Sequence, residues 1–194
     1  MGLSSSKQDA VDKFVTACCN GDLDLCKAYL QTDPHCVNAH SSTGELGLVA
    51  ALQKGNWDCA NLILEDRNKN LRIDSCTLQN PNEKSGPGEG ASSGGVNVLM
   101  AAIAGGSGQK DGIAHSYLEL IIKLILKHPN SSLLFKQQDN ENKWGCLHYC
   151  AYYNAPMCAR LIISAEQAGD LSILVYSAAL RDLWKQLPLH IACR

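Results

Sequence analysis

One short segment returns along this chain, and its return constrains the fold more than any other feature. Its clearest copy closes the sequence as Leu187-Pro188-Leu189-His190-Ile191-Ala192-Cys193-Arg194. Leu147-His148-Tyr149-Cys150-Ala151 keeps the Leu-His pair, and Leu99-Met100-Ala101-Ala102-Ile103 has Met where His stood. Leu48-Val49-Ala50-Ala51-Leu52 and Phe14-Val15-Thr16-Ala17-Cys18 are looser copies. Gly55 and Gly21 follow these last two, where glycine ends a helix by taking a left-handed conformation cheaply. Apolar residues at helical spacing then recur over Leu23 to Leu30, Trp57 to Leu64, Tyr117 to Leu126 and Met157 to Ile163. A helix with one apolar stripe must bury it against another element. A succession of such pairs therefore predicts stacked helical units.

The closing segment reads as T-P-L-H-x-A with Leu187 in place of Thr, and that pattern marks the ankyrin repeat. Asn20-Gly21-Asp22 and the return Cys36-Val37-Asn38-Ala39 point the same way. From about residue 10 to residue 194 the chain resembles the ankyrin repeat family. Phe14 and Leu48 lie 34 positions apart, close to the family period of about 33. The later intervals stretch to 51, 48 and 42 positions, so each later unit carries an insertion. Two insertions are rich in small residues: Gln79 to Gly95 and Gly105 to Gly112. The first cannot build a core and is expected to be a mobile loop. The resemblance implies an all-α ankyrin-repeat solenoid of four to five helix-turn-helix repeats, with finger loops and two long insertions. It implies a repeat domain over 10–194, its last repeat incomplete and expected to continue in a longer protein, behind a flexible tail over 1–9. It also implies that His148 and His190 bond backbone in neighbouring finger turns, and that Asp182 stabilises its turn.

Composition narrows the function. Net charge is -2, from 17 basic and 19 acidic residues, and the basic ones are scattered. No cationic field is present to hold nucleic acid by counterion release. Ten cysteines would suggest disulfides in a small secreted chain. Here the first 13 residues are mostly polar rather than a signal peptide, and Cys18, Cys26, Cys59, Cys150, Cys158 and Cys193 fall in predicted helices. Buried free cysteine behaves as a small hydrophobe, so a reducing, cytoplasmic location is expected. No apolar run approaches the ~18 residues of a membrane span. Met1-Gly2 with Ser6 fits the N-myristoylation pattern, which makes Gly2 a candidate lipidation site and peripheral membrane association an expectation. The alternative is a plain Ser-rich tail. A single acyl chain binds membranes only marginally.

Catalytic and metal chemistry finds little support. Cys146 and Cys150 share a helical face, but zinc sites want two paired half-sites, and none occurs. Asp66 to Asn70 echoes a calcium loop, yet Leu71 and Thr77 stand where Gly and Glu are needed. No phosphate-binding loop or nucleophile elbow is present. Cys36, with His35 and His40 nearby in a predicted hairpin, is the one Cys-His cluster outside the repeat cores. Neither a cofactor nor a metal is expected.

Surface recognition remains. In the family that the chain resembles, partners bind in a concave groove lined by first helices and finger loops. The groove positions here would be Thr16, Cys19 and Asn20; Ala50, Gln53 and Lys54; Ala101, Ala104 and Gly105; and Tyr149, Tyr152 and Tyr153. Three tyrosines on one exposed helix side, with Trp144 and Trp184 in the adjoining fingers, form the best partner-binding candidate, since tyrosine and tryptophan give rigid contact area with a polar tip. The expected function is a non-catalytic protein-interaction module, with an unidentified protein or peptide in its groove. Three other readings stay open. The chain is the targeting segment of a larger enzyme, such as a kinase, ubiquitin ligase or acyltransferase, whose catalytic domain follows residue 194. It is a self-contained scaffold or inhibitor. Its groove takes an acylated or small-molecule ligand.

Overall fold

The computed structural model describes residues 5–65, 71–73, 95–107, 112–167 and 177–193. The regular elements described are helical: α1 (Ser5–Asn20), α2 (Leu23–Thr32), a 3-10 turn (Pro34–Asn38), α3 (Gly47–Lys54), α4 (Trp57–Leu64), α5 (Val98–Ser107), α6 (Gly112–Lys127), α7 (Ser131–Leu134), α8 (Cys146–Tyr152), α9 (Pro156–Gln167) and α10 (Pro188–Ala192). The all-α class is therefore as expected. An isolated antiparallel bridge joins His40 to Leu46.

The helices form two layers. In one, α1, α3, α5, α8 and α10 pack side by side in chain order; in the other, α2, α4, α6 and α9 do the same behind them. Each front helix except α10 is joined to its back helix by a tight turn or a short connection, and the pairs stack on one another. Gly21 and Gly55 end α1 and α3 with φ of 76° and 71°. Asn154, just after α8, takes the same left-handed region at φ 48°. Asparagine is among the few non-glycine residues that do so readily.

Small residues set the spacing of the front layer. A Cβ at Gly105 would lie 1.9 Å from the Leu52 carbonyl oxygen, and one at Gly47 would meet the Phe14 ring at 2.5 Å. The backbones of α3 and α5 are in direct contact there. Ala50 and Ala101, expected on the groove side, are consequently buried between neighbouring helices. Phe14, Leu52, Leu99, Met100, Ile121, Ile125 and Ile162 fill the space between the layers. The back-helix stripes are narrower than their sequence runs: Leu25, Tyr117 and Leu120 remain largely exposed.

Cysteine behaves as core filling. Cys18 Sγ lies 3.6 Å from Cys26 Sγ, which is 3.9 Å from Cys59 Sγ, where α1, α2 and α4 meet. Cys193 departs from the expected pattern and is exposed just beyond α10. Cys36 sits in the 3-10 turn rather than in a hairpin, because Pro34 fixes the chain's φ and Asp33 caps the turn by accepting from the His35 amide at 3.0 Å. Gly2, the calcium-loop echo at 66–70, residues 79–94 of the first insertion and 108–111 of the second lie outside the described residues, while 105–107 end α5 and Gly112 starts α6. Among the described residues, no helix is long and apolar enough to cross a membrane.

Candidate functional site

Two hairpin-and-helix units stand side by side at the end of the front layer, and the candidate site lies between them. The first runs from Asp139 through α8; the second runs from Asp182 through α10. Each hairpin is closed by its aspartate. The Asp139 amide donates to Trp144 O at 2.9 Å, and Asp139 Oδ1 accepts from the Asn142 amide at 2.8 Å. The Asp182 amide donates to Gln186 O at 3.0 Å, and Asp182 Oδ1 accepts from the Trp184 and Gln186 amides at 2.9 and 2.7 Å. Lys143 and Lys185 each take a positive φ, 58° and 63°, at the last corner. The hairpins join through the Leu183 amide, which donates to Asn142 O at 2.8 Å, and through Gln138 Nε2, which donates to Arg181 O at 3.0 Å.

The histidines bind the units together. His148 Nδ1 accepts from the Gly145 amide at 3.2 Å, within its own unit. Its Nε2 lies 3.1 Å from Gln186 O in the next hairpin, which fixes Nε2 as the protonated nitrogen. The side chain is fully buried, and burial lowers its pKa from 6.5 more than the Gln186 carbonyl raises it. His190 makes the first of these bonds, accepting from the Leu187 amide at 2.9 Å, but its side chain is exposed. The expected contact with a neighbouring turn therefore holds for His148 alone.

The aromatic residues divide. Tyr149 was expected on the exposed side of its helix and is instead buried. Its hydroxyl donates to Asp139 Oδ2 at 3.0 Å, which draws the ring inward to complete the hairpin. Burial, and then the Asp139 charge, push its pKa well up, so it is a structural donor. Tyr152 is 59% exposed and Trp184 60% exposed, while Trp144 and Tyr153 are half-buried. Trp144 and Tyr152 pack with ring centroids 4.8 Å apart, and Tyr152 meets Tyr153 edge-on at 5.0 Å. Trp184 lines, with Trp144 and Tyr152, a cleft of about 530 Å³ whose walls also include Asn154, Asp182 and Ile191.

Gln53, Lys54 and Asn20 do not belong to this site. They are exposed at the ends of α3 and α1, and Asn20 lines a separate shallow depression with Thr16 and Asp22. Cys36 is buried, and burial followed by the Asp33 charge pushes its thiol up to about 12, away from nucleophile chemistry at neutral pH. Among the described residues no cluster could hold a metal ion.

Asp182 is the residue that sequence reasoning placed in the turn but did not connect with the site. Its Oδ2 is buried and has no hydrogen-bond partner among the described residues, and the same is true of Trp144 Nε1. Both residues line the cleft. Superposing the two sequence units would have found the first: Ile191 occupies the position of Tyr149, so the donor that satisfies Asp139 has no counterpart at Asp182.

No protein-family model and no curated protein matches the chain. Among solved structures, a chain in the complex of a predatory endopeptidase from Bdellovibrio bacteriovorus with an immunity protein is similar in fold, with a TM-score of 0.55. The match covers 93% of this chain and 90% of that one at 17% sequence identity. Identity this low supports a shared arrangement of helices and carries no function with it.

Proposed function

We propose that this chain is an ankyrin-repeat recognition module that binds a partner protein or peptide in the cleft between its last two hairpin-and-helix units. The observation that carries the reading is the pair of aromatic side chains, Tyr152 and Trp184, about 60% exposed and lining one cleft. Rigid aromatic rings left in solvent around a concavity are the usual anchors of a protein interface. The repeated hairpin-and-helix unit and the two-layer stack support the ankyrin assignment. Tyr152 and Trp184 are the binding residues, Trp144 and Tyr153 back them, and Tyr149 holds the wall. An acyl chain on Gly2 would add a weak membrane tether to the same module.

The test is selection of peptides from a random display library on the intact protein, followed by titration of the winners. Peptides that bind the wild type and lose at least tenfold in affinity to Tyr152→Ala or Trp184→Ala support the reading. Winners that bind both variants as well as the wild type overturn it.

A second reading rests on α10. Leu189 is 73% exposed there, whereas Leu147, its counterpart on α8, packs against the core. A further helical unit seated on α10 would cover it, and the module would then serve as the targeting arm of a larger protein. The intact mass of the protein from its native cells separates the two: 20.9 kDa, with or without an acyl chain, against a much larger value.

A further inference from the structure

We infer that the cleft between the two hairpins selects a cationic side chain, the alkylammonium of a lysine or the guanidinium of an arginine, presented by the partner peptide. The inference rests on the recognition reading above and names what the cleft prefers. Three observations combine. Trp144, Tyr152 and Trp184 supply aromatic rings to the lining of the cleft. A cation within about 6 Å of such a ring is drawn to the negative π face, and tryptophan is the strongest of the three ring types. Asp182, which lines the same cleft, is only 6% exposed, and its Oδ2 has no partner among the described residues. A carboxylate removed from water and left with an open acceptor is unfavourable until a donor or a positive charge meets it.

The neighbouring unit shows what that acceptor lacks. At Asp139 the equivalent oxygen is taken by the Tyr149 hydroxyl at 3.0 Å. Ile191 replaces that tyrosine in the second unit and brings an apolar wall without a donor. One cation of the same hairpin is turned to backbone: Arg181 Nη1 donates to Lys185 O at 2.9 Å. An incoming cation would lie against the aromatic faces beside the Asp182 carboxylate, whose charge water does not screen. A neutral apolar side chain of the same length would gain the ring contacts alone.

The experiment uses the full chain and four acetylated, amidated pentapeptides, identical except for a central lysine, dimethyl-lysine, arginine or norleucine. Binding is read by quenching of tryptophan fluorescence and checked by calorimetry. At least one cationic peptide is expected to bind ten times more tightly than the norleucine peptide. Tetramethylammonium chloride is expected to displace it more effectively than sodium chloride at equal ionic strength. Asp182→Asn keeps an oxygen for the Trp184 and Gln186 amides and removes the charge, so it should abolish the preference for cations while circular dichroism stays unchanged. Ile191→Tyr should do the same by supplying the missing hydroxyl. Should Asp182→Asn unfold the hairpin, the Ile191→Tyr and tetramethylammonium arms still decide. Equal affinity for norleucine and the cationic peptides, sensitive to Trp184→Ala, would overturn the cation inference and leave the recognition reading standing. Binding insensitive to both Trp184→Ala and Tyr152→Ala would overturn the two together.

Discussion

The two hairpin-and-helix units use nearly the same residues to opposite ends. In the first, His148 and Tyr149 turn inward: one bonds the next hairpin at Gln186 O, the other closes its own hairpin at Asp139. In the second, His190 is exposed and Ile191 stands where the tyrosine was, so Asp182 keeps an open oxygen beside a cleft. One unit pairs its polar groups internally; in the other, His190 is exposed and Asp182 Oδ2 is buried without a partner among the described residues. The same motif therefore reads as structure or as site according to whether a neighbour covers it.

The comparison breaks most visibly at the histidines. His148→Ala removes a fully buried ring, the acceptor of the Gly145 amide and the partner of Gln186 O. The expected loss is about 3 kcal/mol, read as a fall in urea midpoint at unchanged slope. His190→Ala removes one bond at an exposed position and should lose about 0.5 kcal/mol. Equal losses at the two sites would show that the last unit is as enclosed as the one before it.

Tyr149→Phe is expected to rank next. It deletes one hydroxyl and leaves Asp139 Oδ2 buried without its donor, which costs about 2 kcal/mol because the acceptor is charged. The reciprocal change, Ile191→Tyr, should stabilise the protein by about 1 kcal/mol by giving Asp182 what Asp139 already has. Thermal melts of the two variants should move in opposite directions. Movement in the same direction would mean that the two hairpins are not equivalent at their aspartates.

Much of this was legible before any coordinates. The periodic apolar runs placed α2, α4, α6 and α9, and Gly21 and Gly55 marked the helix ends, because left-handed backbone restricts residue choice so strongly. The aromatic concentration around α8 was visible too. What the sequence did not disclose was direction. Tyr149, Tyr152 and Tyr153 lie within five positions, and only the reach of Asp139 decides that Tyr149 belongs to the core. Ala50 and Ala101 counted as surface because small residues are neutral in a periodicity argument. Their burial follows from backbone contact at Gly105, a property of two helices together. The open oxygen of Asp182 was hidden for the same reason: it is a missing partner, which becomes apparent only against a unit that has one.

The smallest expected effect is a pH dependence carried by the enclosed histidine. In the folded chain His148 has a pKa below 6.5, since burial disfavours the charged ring. In the unfolded chain the ring regains an ordinary pKa of about 6.5. Between the two values the unfolded state holds a proton that the folded state does not. Stability contributed by the neutral ring is therefore complete above pH 6.5 and is lost as pH falls toward the depressed folded value. Unfolding free energies from urea titrations at pH 7.5 and 5.5 should differ by less than the ~1.4 kcal/mol that one proton can supply per pH unit. Asp12 is also held below the usual 3.8, because the Ser42 and Gln8 amides outweigh its burial, so it titrates outside this window. His148→Ala should remove its share of the slope while lowering the midpoint at both pH values. A slope unchanged in that variant would assign the dependence to groups elsewhere and would detach the His148 ring from the cohesion of its unit.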